Sequence, residues 1–298
     1  MTQVPMDLQG LLPWGGLAGA ELAVADVAIA GIAYDGSAVY RRGAAGAPDR
    51  IRSLSPAMPP VTEDGTELLG LRVHDLGDIA ISGGIEAAWS SVADRLAAVP
   101  ASALLTVMGG DHCSAIPVLA AQARRHPGLR VLWFDAHPDL CDFSRGSAWS
   151  CGCALRRALD CAGLAPRAVS FAGSRDYDPE EVDFIRVNGL LNLGVREVAR
   201  DPTGAGRRLA EEFGDAPLHV SFDIDVLDPA FAPGTEVPSA GGLSTRQALE
   251  VLAELATTAH LVGLDVMEVA PNVDHNDISS LAALKVMFEF WGRALRGA

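Results

Sequence analysis

No apolar run in the 298 residues approaches the length of a membrane span, so no transmembrane helix is expected. Met1 to Pro13 contains Asp7 and lacks a basic cluster, so no secretory leader is expected either. Cysteine is sparse. Cys113, Cys141, Cys151, Cys153 and Cys161 are an odd number in a long chain, which argues against a secreted disulfide framework and for a reducing cytoplasm. Basic residues number 23 against 38 acidic ones, and the formal charge of −15 disfavours nucleic acid or an anionic membrane as partner. That charge suits a cationic substrate, though acidity commonly serves solubility alone. Internal repeats, low-complexity tracts and long linkers are missing as well. The composition, 49% hydrophobic and 20% charged, is ordinary for a protein with a substantial core. One domain over residues 1–298 is the expectation.

Short apolar, β-branched runs recur with helical segments between them. Strands are expected near 26–33, 103–108, 130–135, 168–173, 218–223 and 261–266, with weaker ones near 71–75 and 190–193. Strands alternating with helices imply an α/β fold, a parallel sheet covered on both faces. In 244–258, Ser244 can cap a helix, Gln247 completes a capping box, and Leu249, Leu252 and Leu255 share one face. Met287, Phe288 and Trp291 suggest a final amphipathic helix. The Gly- and Pro-rich stretch 227–242 reads as a connecting loop.

Ligands of an open parallel sheet bind beyond the carboxyl ends of its strands. Four expected strands end there in groups that carry chemistry. Gly109, Gly110, Asp111 and His112 follow the first; Asp135, His137 and Asp139 follow the second. Asp223, Asp225 and Asp228 follow the third, and Asp265 and Glu268 the fourth. In "FDAHPDLCD" (134–142) the three polar groups fall at every second position, so extended backbone would turn them to one face. Taken singly, Asp111 and Asp228 read as turn or cap residues, and His126, His219 and His260 as ordinary satisfied histidines.

The cluster reads differently. Asp135, Asp139, Asp223 and Asp225 gathered at one sheet edge would repel without a counter-charge. Two divalent cations balance them, and His112 and His137 complete a mixed oxygen and nitrogen donor set. Without an obligatory thiolate, that set favours manganese or a similar ion over structural zinc. A two-metal centre in such a cleft points to hydrolysis by an activated water.

These motifs resemble the arginase/agmatinase ureohydrolases. The match runs through "GGDHCSAIP" (109–117), "WFDAHPDL" (133–140), "SFDIDVLDPAFAPGTEVPSAGGLS" (221–244) and "GLDVMEVAPNVD" (263–274), with "YRRGAAGAPDRIR" (40–52) similar to the family's early basic loop. The resemblance implies a three-layer α/β/α sandwich around a mostly parallel eight-stranded sheet, assembled as trimers or hexamers. It also implies two Mn2+ ions and hydrolysis of a guanidino group to urea and an amine through a metal-bridging hydroxide. One ion would take His112, Asp135, Asp139 and Asp223; the other His137, Asp135, Asp223 and Asp225. Asp135 and Asp223 would bridge, Asp135 helping to position the hydroxide. Glu268 corresponds to the glutamate that pairs with the guanidinium, and Asp228 to a residue supporting the ligands from behind.

The chain departs from the family at one catalytic position. Many members place a histidine before a glycine about a dozen residues after the DAHxD motif, where it assists proton transfer. Here Cys151 precedes Gly152, and no histidine lies between 138 and 218. Either protonation runs through solvent or another group, or Cys151 acts itself as a weak acid or thiolate, or the substrate is unusual or activity lost. "GSRDYDPEE" (173–181) is similar to the arginase loop that receives a substrate ammonium, at Asp176, Asp178 and Glu181. The arginase asparagine that holds a substrate carboxylate is missing. Agmatine is therefore the leading small cationic substrate, ahead of guanidino acids such as guanidinobutyrate or guanidinopropionate. An arginase, a formimino-group hydrolase of the same fold and a metal-binding homologue without activity are the alternatives.

Overall fold

The computed structural model describes residues 10–295; most of the Met1 to Pro13 stretch, in which no secretory leader was expected, lies outside them. Eight strands form one all-parallel sheet in the order β2-β1-β3-β8-β7-β4-β5-β6. They are β1 (Val27–Gly31), β2 (Val73–Asp78), β3 (Leu104–Met108), β4 (Arg130–Phe134), β5 (Val169–Ala172), β6 (Asn192–Leu193), β7 (Pro217–Asp223) and β8 (His260–Met267). The six strands expected from strong apolar runs are the six inner ones. Both faces of an inner parallel strand are covered, so its sequence is mainly apolar. The two weakly patterned segments are the edges: β2 is mostly half-exposed and β6 has two residues.

Helices cover both faces. On one side α2 (Ile85–Ala97), α3 (Ala115–Arg125) and α4 (Ala154–Ala162) bury Trp89, Leu96, Ile116, Leu119 and Leu155 against Val107, Val131 and Phe171. α5 (Pro179–Asn188) adds Phe184 and Ile185 at the margin of that layer. On the other side α1 (Ala47–Leu54), α6 (Val195–Arg200), α7 (Pro202–Phe213), α8 (Thr245–Leu255) and α9 (Ile278–Ala294) pack on Ile29, Leu218, Val220, Phe222 and Leu264. Each buried large aliphatic side chain contributes about 1.5–3 kcal/mol. The capping box of Ser244 and Gln247 is present at the start of α8.

The last helix differs from its expectation. α9 is not amphipathic but buried on most sides, Ser279, Ser280 and Glu289 included. It is wedged against α1, α8 and β8, and its Trp291 meets Trp14 edge-on at 5.9 Å. Glu289 is tolerated there because it accepts from Lys285 Nζ at 2.5 Å and from the Glu63 amide at 2.7 Å. Among the described residues no helix is long and apolar enough to cross a membrane.

Candidate metal centre

Four spatially adjacent strands, β3, β8, β7 and β4, end beneath one cleft. Each delivers one of the groups expected from sequence. The turn after β3 can approach its neighbours because it begins with two glycines. A Cβ on Gly109 would lie 1.7 Å from Met267 Sδ, and one on Gly110 would lie 1.6 Å from the Tyr34 carbonyl oxygen. His112 therefore sits directly over the sheet edge, buried, with Trp133 stacked on its ring at 3.9 Å.

Around His112 Nδ1 stand Asp135 Oδ2 at 2.9 Å, Asp223 Oδ2 at 2.9 Å and Asp139 Oδ2 at 3.4 Å. A second group surrounds His137 Nδ1, with Asp225 Oδ2 at 3.1 Å and Asp135 Oδ1 at 3.5 Å. Asp135 belongs to both. The alternation that suggested this grouping does not persist, however. β4 stops at Phe134, and Asp139 adopts a left-handed φ of 54°. The three residues converge because the backbone turns. The His137 amide donates to Asp135 Oδ1 at 2.6 Å, and the Asp225 amide likewise donates to Asp223 Oδ1 at 2.7 Å.

The donor set fits cations. His112 Nδ1 and Asp135 Oδ2 are buried and neither has a hydrogen-bond partner, despite their 2.9 Å separation. The two atoms so placed face a shared space. Charge points the same way. Burial, with the neighbouring carboxylates added, pushes Asp139, Asp223 and Asp225 above the usual carboxylate range. At Asp135 burial is outweighed by His112 and His137, which hold it low. Burial also opposes charge on His112, yet Asp135, Asp139 and Asp265 lift it to about 9. Four carboxylates compete here for the charge of two imidazoles, a deficit that divalent ions would fill.

Glu268 follows β8 with a left-handed φ of 64°, a strained conformation of the kind that clusters at functional sites. Its Oε1 accepts from the His112 amide at 2.7 Å, while its Oε2 is buried and unpartnered. Cys151 Sγ lies 3.5 Å from the same Oε1 and 3.4 Å from the Ser37 carbonyl. Hydrogen bonding to the Cys113 thiol, burial and the Glu268 charge push the Cys151 thiol up. All five cysteines are free.

The cleft, 270 Å3 in volume, is lined by His112, His137, Asp223, Asp225, Cys151 and Glu268 at its floor, and by Arg145, Asp176, Tyr177 and Asp178 farther out. Asp176 accepts from Ser239 Oγ at 2.6 Å and lies 3.9 Å from His137 Nε2. Asp178 and Glu181 form the capping box of α5. Glu181 is buried, with its oxygens taken by the Leu140 and Asp178 amides, each at 2.8 Å. It is a structural residue rather than an ammonium receptor. Asp228 accepts from the amides of Ala230, Gly241 and Gly242 and holds a loop, and among the described residues it has no hydrogen bond to a candidate ligand side chain. Asp265 lies within β8 and faces Ser221 and His219, away from the cleft. Sequence reasoning overlooked Ser221, whose Oγ is 3.0 Å from His112 Nε2. The signal was present, since Ser221 and His219 share the strand face of Asp223.

A family model described as the arginase family matches residues 25–292. The chain belongs to the arginase family. The arginase-family chain is 36% identical over 269 residues to proclavaminate amidinohydrolase of Streptomyces clavuligerus, covering 86% of this chain and 84% of that one. It is 34% identical over 277 residues to guanidinopropionase of Pseudomonas aeruginosa (87% and 83% covered). It is also 34% identical over 267 residues to agmatinase of Neisseria meningitidis (87% and 84%). The solved structure of the Streptomyces clavuligerus amidinohydrolase superposes with a TM-score of 0.84 at 33% identity, covering 92% of this chain and 93% of that chain. The eight-stranded parallel α/β architecture is thus the family's.

Proposed function

We propose that this arginase-family chain is a binuclear manganese amidinohydrolase that cleaves a guanidino compound to urea and an amine. The observation that supports it most is Asp135 standing in both candidate cation groups, with His112 and Asp223 on one side and His137 and Asp225 on the other. One ion would be held by His112, Asp135, Asp139 and Asp223, the other by His137, Asp135, Asp223 and Asp225. Carboxylate and imidazole donors suit manganese. When bound, the two ions supply Lewis acidity and a water acidic enough to act as nucleophile at neutral pH.

The chain's own residues do the rest. Glu268 offers its free Oε2 to a guanidinium N–H, while the His112 amide fixes Oε1. A charge-assisted contact of this kind orients the trigonal carbon over the ligand cluster. Cys151, a protonated thiol, donates toward Glu268 and steadies it, and the departing amine takes its proton from solvent in the open cleft. All eight strands joining one sheet supports treating the chain as one catalytic unit.

Two tails are favoured by specific observations. Asp176, half in solvent beside His137, suits the ammonium of agmatine, which leads. Arg145, which also lines the cleft and has no ion pair among the described residues, suits the carboxylate of a guanidino acid. The relatives named guanidinopropionase and agmatinase match equally well. Urea release by manganese-loaded protein from agmatine, arginine, guanidinobutyrate and guanidinopropionate, against a chelated control, tests the reaction. Formamide or ammonia without urea would shift the reading to a formimino substrate. No turnover at all with metal bound would sink it.

A further inference from the structure

Arg175, in the loop after β5, spends its charge on backbone. Its Nη2 donates to the Asp225 carbonyl at 2.6 Å and to the Ser239 carbonyl at 2.8 Å. Its Nη1 donates to the carbonyls of Val226 at 3.2 Å and Gly173 at 3.3 Å. Three separate segments therefore meet on one guanidinium. A planar fork of donors can reach them together, whereas an ammonium is a single point of charge. Gly242 leaves room for it, since a Cβ there would lie 2.8 Å from Arg175 Nη2.

The backbone of the same residue reaches a further segment. The Arg175 and Asp176 amides both donate to the Ala136 carbonyl, at 2.8 and 3.1 Å. Ala136 separates Asp135 from His137 in the chain, and its own amide donates to Asp225 Oδ1 at 3.2 Å. Arg175 thus ties the turn that carries His137 to the turn that carries Asp225. These two residues belong to the second cation group alone. The first group is held by other contacts: the His112 amide donates to Glu268 Oε1, Trp133 stacks on the His112 ring, and the Asp139 carbonyl accepts from the Arg156 amide at 3.1 Å.

We propose that Arg175 is a positioning residue for the second cation group, clamping the Asp225 carbonyl against the Ala136 turn and so setting Asp225 beside His137. The inference rests on the binuclear reading above. Calorimetric titration with Mn2+ reads the two affinities, and electron paramagnetic resonance tells a coupled pair of ions from an isolated one. Arg175→Ala should bind one Mn2+ as the wild type does and the other about 10–100-fold more weakly. At manganese concentrations that fill both wild-type sites it should show the signal of an isolated ion. Arg175→Lys reaches only some of the carbonyls and should recover part of the second affinity. Should alanine not fold, the same selectivity for one site is required of the lysine variant. Ser244→Ala, which removes the cap of α8, supplies a protein destabilised elsewhere, and its Tm should fall while both affinities stay. An unchanged second affinity, equal weakening of both sites, or loss of the second ion in Ser244→Ala as well would overturn the proposal. A wild-type protein that binds no Mn2+ overturns the binuclear reading itself, a different result.

Discussion

The thiol of Cys151 lies 3.5 Å from Oε1 of Glu268, the oxygen that also takes the His112 amide. Here the chain has a buried thiol at the position where the family resemblance leads one to expect an imidazole. Cys151→Ala should therefore keep both metals and lose only a fewfold in kcat/KM. Under native conditions iodoacetamide should label the exposed Cys161 well before Cys151. Mass spectrometry of the labelled protein checks the order, and Cys151 reacting first would refute its protonated, enclosed state.

Asp135 joins two cation groups, so its loss should cost more than one ion. Asp135→Asn should lower manganese content below two ions per chain and cut activity by more than about a hundredfold, the upper range for groups that merely support ligands. Elemental analysis and circular dichroism together read content and fold. Chelation of the wild-type protein should lower Tm, and added Mn2+ should raise it in proportion to the logarithm of concentration.

The cleft is lined by groups of both charges, Asp176 and Arg145 among them. Asp176→Asn should raise KM for agmatine with kcat little changed, while Arg145→Ala should raise KM for guanidinobutyrate or guanidinopropionate. Loss of uniform binding has that kinetic form. An equal effect of both substitutions on both substrates would deny the tail contacts.

Burial pushes Glu236 up to about 7, with Asp111 and Asp35 adding to it, while its Oε1 accepts from the Ala44 amide at 2.9 Å. The folded protein holds this proton more tightly than the unfolded chain, whose value is 4.5. The associated stability is complete below pH 4.5 and is lost as pH rises through about 7. Glu236→Gln should flatten the fall in Tm between pH 5 and 8, by the equivalent of about 1–3 kcal/mol. An unchanged slope would show that other groups govern it.

The strands, their parallel arrangement and the His, Asp and Glu groups at their ends were legible in the residues alone. Those signals are local: an apolar run long enough to be buried, then a polar group where the run stops. The six metal-ligand candidates follow from them together with the family resemblance. Contacts between distant segments lay beyond that reach. The left-handed turn at Asp139 replaced simple alternation as the cause of convergence. Glu181 was drawn into a helix cap, and Asp265 was turned from the cleft into a buried chain of hydrogen bonds. Cys151 became a partner of Glu268 only because residues 117 positions apart pack side by side. Composition and periodicity determine which face of an element is buried. Which buried polar group meets which is decided when the layers close, because each must find a partner or pay for its desolvation.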